Sequence, residues 1–392
     1  MRQNIKRKDL KPGMYVVSHG LGTFGNPLVL VDKPILTPAH IDQYIPPEVD
    51  EVLVDTSIEV TPLTPEQLAE ELLPHPPAST TLAEELPIAN KLYSDALIHV
   101  KSFIDDVRKG TDIDCNKASP LVQSFIDSVF RNETAAVTLF KLRGFDEYTY
   151  THSINVSILA VLLGKHLGLD KPTLLKLGMA GMYHDVGKAR IDEGILNKPG
   201  KLTESEFQSM KAHPLEGYKI LKNQPDLDPE ILRAVAEHHE RHDGTGYPRG
   251  LKGEGIARFS RIIAVVDVYD ALTSRRVYKE AMAPGKALGM MYQLRDKDYP
   301  PNAIEHFIRC VGVYPVGSFV RLSGGEFGIV ASANAKRPTK PQIKVILDVR
   351  MRPQFQRLLD LAALEGTDEA QDIDAVLNPA DFKIDLERYF NV

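Results

Sequence analysis

Only two cysteines, Cys115 and Cys310, occur in the 392 residues. Far apart and without Cys-x-x-Cys spacing, they exclude a disulfide framework and a thiolate metal clip, and read as small buried or half-buried side chains. Long apolar runs are missing too, so no transmembrane helix is expected. The start, MRQNIKRKDLKPGMYVV, has neither the apolar core nor the small-residue cleavage site of a secretory signal, and a soluble cytoplasmic protein without membrane attachment is expected. Basic residues are not in excess: 47 Lys and Arg against 53 Asp and Glu leave a net charge of -6. That balance argues against polynucleotide binding, which needs a basic face to displace condensed counterions. A small anionic ligand stays open, because a metal or a few local cations can hold it. No internal period marks a repeat array.

The length favours more than one core. In residues 1–60, the runs DLKPGMYVV, PLVLVDKPILTP and DEVLVDTSIEV, separated by Pro, Gly and Asp, point to a small strand-containing domain. Residues 61–87, TPLTPEQLAEELLPHPPASTTLAEELP, have the composition of a linker. Residues 88–312 carry apolar residues at helical spacing in one segment after another, from NKLYSDALIHVKSFIDDVRKG to ARFSRIIAVVDVYDALTS. Helix starts are marked by Ser119-Pro120, by a Thr203/Glu206 capping box and by Asp228-Pro229. Residues 313–392 contain YPVGSFVRLSGGEFGIVASANAKRPTKPQIKVILDVR, which reads as short strands and predicts a small β extension. The expected fold is therefore mainly α, with a small strand-bearing domain before the helices and strands after them.

Histidines and aspartates fall at telling places on these helices. His152 opens one; His184-Asp185, His213 and His238-His239 are expected to end three others; Asp267 lies inside the apolar run IIAVVDVYDAL. A carboxylate in such a run is costly to bury unless paired or bound to metal. Neutral imidazoles and carboxylates bind divalent transition metals, and one aspartate can bridge two of them with a shared hydroxide between. The set is too large for one tetrahedral zinc and suits two octahedral ions. Any one of these histidines alone is more often an ordinary helix-end group. That plainer reading holds for His19, His40, His75, His99, His166 and His306, which have no ligand-spaced companion in the sequence.

The ordered series YTYTHSINV, HDVGKARIDEGILNKPGKLTESEFQSMKAHPLEGYKIL, HHERHDGTGYPRGLKGEGI and RIIAVVDVYDALTSRRVYKEA closely resembles the HD-GYP family of HD-type metal-dependent phosphohydrolases, from about Phe145 to about Gly312. DLKPGMYVV and the strands after it resemble an uncharacterised domain often found before HD-GYP domains. The resemblance implies an HD-type helical bundle that hydrolyses cyclic di-GMP, a bacterial second messenger, to pGpG and often on to GMP. It further implies that His152, His184, Asp185, His213, His238, His239 and Asp267 hold two divalent transition-metal ions, with Asp185 bridging. Iron or manganese come first, and nickel and zinc are also suited. Asp185 and Lys188 would carry the chemistry, Lys188 near the scissile phosphate, while Lys188, Arg276 and Lys279 would bind substrate. Arg241, Asp243, Gly244, Gly246, Tyr247 and Pro248 would form a turn at the pocket mouth, implicated in the family in contacts with GGDEF proteins. Val277 stands where the family has Pro, which bears on the Arg276 and Lys279 loop. Tyr183 replaces a usual Leu, and Tyr148 stands where some members carry a third-metal carboxylate. Two other functions compete: hydrolysis of a different cyclic dinucleotide, and a sensing or GGDEF-docking module with little turnover. Neither the product nor the oligomeric state follows from the sequence.

Overall fold

The computed structural model describes residues 2–11, 13–19, 29–35, 41, 45, 49–57, 80–111, 113–135, 148–224, 226–274, 281–334, 337, 339–377, 382 and 384. Its internal contacts divide the chain into Met1–Pro77 and Ala78–Val392. Among the described residues no helix is long and apolar enough to cross a membrane.

The first unit is a four-stranded antiparallel sheet of β1 (Arg2–Lys6), β2 (Tyr15–His19), β3 (Val29–Pro34) and β4 (Glu51–Asp55), in the order β1-β4-β2-β3. Strands β2 to β4 lie in the expected β-branched runs. Strand β1 falls on RQNIK, which has no apolar alternation; it is an edge strand whose only partner is β4, and that pairing is a tertiary choice. Val16, Ile35, Ile45, Val52, Val54 and Leu10 form the core of this unit.

The second unit begins with α1 (Leu82–Lys109), inside the stretch expected as linker. Thr81 and Glu84 make a full capping box and Pro87 lies inside the helix, so the last residues of that stretch, from Thr81, are a capped helix entry. α2 (Ser119–Arg131) follows a 3-10 turn, so Ser119 lies one residue inside the helix it was expected to cap. Then come α3 (Tyr148–His166), α4 (Lys171–Tyr183), a 3-10 turn (Val186–Arg190), α5 (Glu193–Leu196), α6 (Glu204–Met210), α7 (His213–Leu221), α8 (Pro229–Glu237), α9 (Arg258–Thr273), α10 (Pro284–Gln293) and α11 (Ala303–Val311). The Thr203/Glu206 box and the Asp228 cap form as the sequence indicates. Every residue of α3 from 152 to 164 is buried, because this helix is the axis around which α1, α2, α4 and α9 pack.

Five antiparallel strands close the unit: β5 (Phe319–Leu322), β6 (Phe327–Ser332), β7 (Gln342–Leu347), β8 (Pro353–Asp360) and β9 (Ile373–Leu377), ordered β8-β7-β6-β5-β9. The expected Gly-Gly hairpin joins β5 to β6, with Gly325 at φ +86.

One polar contact locks the helix entry. Glu85 is wholly buried and accepts a two-pronged pair of hydrogen bonds from Arg131 at 2.7 and 2.8 Å and one from Ser128 at 2.7 Å. Burial works to raise the Glu85 carboxyl, but the Arg131 and Ser128 hydrogen bonds outweigh it and the carboxyl titrates below its ordinary 4.5. The stabilisation is thus full above pH 4.5 and is lost as pH falls through the lowered folded value. Glu85→Ala should lose about 2 kcal/mol at neutral pH, a buried charged hydrogen-bond partner having been removed. Denaturant titrations of parent and variant should converge on acidification; a constant gap down to the acid limit would contradict the assignment.

Candidate metal centre

Each helix end delivers its histidine by the same local device. His184 caps α4 and its Nδ1–H donates to the Gly181 carbonyl at 2.8 Å; His238 caps α8 and donates to Val235 at 2.8 Å. His213 donates to Met210 at 2.7 Å, the last residue of α6, while itself opening α7. It was expected only to end a helix; Pro214, with no N–H and a fixed φ, suits a helix start and begins α7 at once. The free carbonyls at a helix end thus consume every Nδ1–H. A neutral ring whose Nδ1–H is so committed presents a bare Nε2 lone pair inward.

Those lone pairs converge. His213 Nε2 and His238 Nε2 are 3.2 Å apart, and His184 Nε2 is buried with no hydrogen bond. Two acceptors facing each other at that distance repel unless a proton or cation lies between them. Burial, helped by the neighbouring imidazoles, pushes His238 well below its ordinary value, and burial lowers His239 to about 3, so both rings are neutral at physiological pH. The donor set and its orphaned acceptors fit divalent cations.

Asp185 stands between two groups of these rings. Its Oδ1 lies 3.2 Å from His213 Nε2 and 3.8 Å from His238 Nε2; its Oδ2 lies 3.2 Å from His184 Nε2 and 3.5 Å from His152 Nε2. Asp185, His213, His238 and His239 form one metal-sized cluster and His152, His184 and Asp185 another, sharing that carboxylate. Asp267 Oδ1 meets His152 Nε2 at 3.0 Å, and its Oδ2 is 4.0 Å from His239 Nδ1. Burial opposes ionisation of both aspartates, yet the surrounding imidazoles, with Lys188 for Asp185, hold both well below the ordinary range. Lys188 Nζ contacts Asp185 Oδ2 at 2.5 Å. A Cβ on Gly187 would fall 1.9 Å from the His213 carbonyl, so only glycine lets the turn after Asp185 lie on α7 and bring Asp185 to His213.

A profile of the HD domain matches residues 134–302, and one of a domain of unknown function matches residues 2–118. A cyclic di-GMP phosphodiesterase of Pseudomonas aeruginosa is 39% identical over 293 residues, 74% of this chain and 70% of that protein. The chain belongs to the HD-GYP family. A cyclic di-GMP phosphodiesterase response regulator of Xanthomonas campestris pv. campestris matches at 42% over 155 residues, 39% of this chain and 41% of its own. A 3'3'-cGAMP-specific phosphodiesterase of Vibrio cholerae matches at 39% over 170 residues, 43% of this chain and 36% of its own.

The turn that names HD-GYP proteins is built here on two buried glutamates flanking the histidine pair, neither of which stood out in the sequence. Glu237 accepts from Arg233, Arg249 and the Ala257 amide; Glu240 accepts from the amides of Arg249 and Leu251. Arg241 pairs with Asp298 at 3.3 Å, and Asp243 accepts from Thr245. Gly244 has φ +87, whereas Gly246 is needed for room: a Cβ there would sit 2.3 Å from the Arg241 nitrogen. The Tyr247 ring packs on His239 at 4.8 Å, followed by a cis bond to Pro248. Arg276, Val277 and Lys279 lie outside the described residues. Tyr183 makes a contact that Leu cannot, donating to the Cys115 carbonyl at 3.1 Å. Of the histidines read as ordinary, His99 contacts Tyr183 and His166 stacks edge-on with His306.

The reading of the sequence also missed Asp270. Wholly buried, it accepts from His152 Nδ1 at 2.7 Å, Asn155 at 2.8 Å and Ser274 at 3.0 Å. Asn155 in turn accepts from Tyr93. Its signal was a second carboxylate one turn after Asp267 in the same apolar run, on the face that meets α3. A carboxylate behind a ligating imidazole fixes its tautomer and raises its basicity. Asp270→Asn should therefore weaken metal binding about 10- to 100-fold in a chelator competition titration; parental affinity would remove Asp270 from the centre.

Proposed function

We propose that this HD-GYP chain hydrolyses cyclic di-GMP to pGpG, GMP or both, with two divalent ions, iron or manganese first, held by His152, His184, Asp185, His213, His238, His239 and Asp267. The observation that carries the reading is the shared Asp185, whose two oxygens face two separate groups of imidazoles while Lys188 lies against one of them. When bound, divalent cations would supply Lewis acidity toward the phosphate and the attacking water. Asp185 then sets the spacing of the positive charge, and its depressed titration keeps it anionic throughout the working range. Lys188, partly exposed and anchored at that carboxylate, carries an ammonium that can neutralise charge growing on the phosphate oxygens. The imidazoles of His184, His213 and His238, held by backbone carbonyls, need no reorganisation as the reaction proceeds.

The relatives' names divide between cyclic di-GMP and 3'3'-cGAMP. Metal ligands do not read a base, so cyclic di-GMP rests here on the relative matched over most of its length. Purified protein supplied with iron or manganese under anaerobic conditions should hold about two ions, since the ligand set fits a dinuclear site. It should cleave cyclic di-GMP faster than 3'3'-cGAMP. Asp185→Asn should lose metal and turnover together, whereas Lys188→Ala should keep its metal and lose roughly a hundredfold in turnover, as for other preorganised transition-state contacts. A metal-loaded parent that binds cyclic di-GMP and never cleaves it would establish the sensing module instead.

A further inference from the structure

The Lys211 ammonium is held by aromatic rings. It lies 4.6 Å from the Phe207 ring centre and 5.6 Å from that of Tyr247, and among the described residues no carboxylate pairs with it. The side chain is half-buried, and Phe207 on α6 is 41% exposed, so aromatic faces hold the charge at the surface without neutralising it. A path of contacts leads from the cluster to it: Asp185 to His213 at 3.2 Å, His213 to His239 at 4.9 Å between rings, His239 to Tyr247 at 4.8 Å, and Tyr247 to Lys211. Two lysines thus occupy different stations. Lys188 is at the centre on the shared carboxylate, and Lys211 is at the rim, beyond the ring that packs on His239.

A cyclic dinucleotide carries two phosphodiesters, and only one reacts at a time. With one drawn to the cluster and Lys188, the other must lie outward, joined to it through two riboses. We propose that Lys211 holds this second, non-reacting phosphate, so that the Phe207–Lys211–Tyr247 group selects substrates with two phosphates over simple diesters. The inference rests on the functional reading above and assigns a specificity role to a residue outside the ligand set. Tyr247 acquires a second function from it: one face supports His239 and the ring as a whole positions the Lys211 ammonium.

The test uses the full-length, metal-loaded protein. Lys211→Met keeps the apolar stem between the two rings and removes only the charge. It should raise KM for cyclic di-GMP by about tenfold or more, the scale of a charge-assisted contact, with kcat little changed. Cleavage of bis(p-nitrophenyl) phosphate, which has a single phosphate, should fall far less, and Lys211→Arg should restore most of the loss. In the slow Lys188→Ala background, direct titration should show the same weakening for cyclic di-GMP but none for inorganic phosphate. Metal content and thermal midpoint serve as folding controls. Equal losses on both substrates would place Lys211 at the reacting phosphate, and an unchanged KM would remove it from the site; either overturns the assignment while leaving the functional reading intact. A parent that neither binds nor cleaves cyclic di-GMP overturns both.

Discussion

The centre depends on one constraint: a histidine whose Nδ1–H is committed to the backbone carbonyl three residues before it cannot use that proton elsewhere. His184, His213 and His238 all meet it, through Gly181, Met210 and Val235. Helix ends leave carbonyls unpaired, so the local structure supplies the acceptor and the ring orientation follows. Tautomer and direction are then set together, and inward lone pairs become tolerable only around positive charge. Asp185 and Asp267 answer with negative charge that burial alone would suppress, each kept ionised by the imidazoles around it.

Around this centre the supporting groups are carboxylates outside the two metal-sized clusters. Asp270 stands behind His152, linked through Asn155 to Tyr93 on α1, so the first long helix is tied to the metal-facing surface of α3. Glu237 and Glu240 bracket His238 and His239 and gather Arg249, Leu251 and Ala257 from the chain that follows, together with Arg233 of α8 itself. The loop's own shape comes from close approach: Gly246 lies against the backbone of Glu240 and Arg241. The Gly-Tyr-Pro turn is therefore an extension of the ligand pair, and Tyr247 reaches His239 because the two glutamates fix both ends of the path.

This division bears on how a common metal site acquires different substrates. On the proposed reading, the metal-binding residues and Lys188 answer to a phosphate, which all cyclic dinucleotides share. Under the same proposal, discrimination would fall to groups one or two rings farther out, where Tyr247, Phe207 and Lys211 meet. Relatives named for cyclic di-GMP and for 3'3'-cGAMP both align with this chain at about two residues in five, as expected if chemistry and selectivity sit in separate layers.

How much of this was legible in the chain depends on range. Asp228-Pro229, the Thr203 box and the Gly-Gly hairpin are local devices, each settled within a few residues, and they formed as read. That these histidines belong together was legible as well, because they recur beside Asp and glycine in an order that plain helix ends do not produce, and the structure clusters them. Strand β1 was not, since RQNIK becomes a strand only by pairing with β4, nearly fifty residues later. Glu85 was hidden in a Pro- and Glu-rich stretch, and its meaning lies in Arg131 across two helices. Asp270, Glu237, Glu240 and Lys211 carry no mark of their own either; a buried carboxylate or a ring-held ammonium is defined by what surrounds it. The sequence by itself determined which residues could bind cations and which segments would be helices, because propensity, caps and ligand chemistry act over short distances. Only the tertiary structure decided which oxygen of Asp185 faces which imidazole and which ammonium rests on aromatic rings, because those relations arise when distant helix ends are packed together.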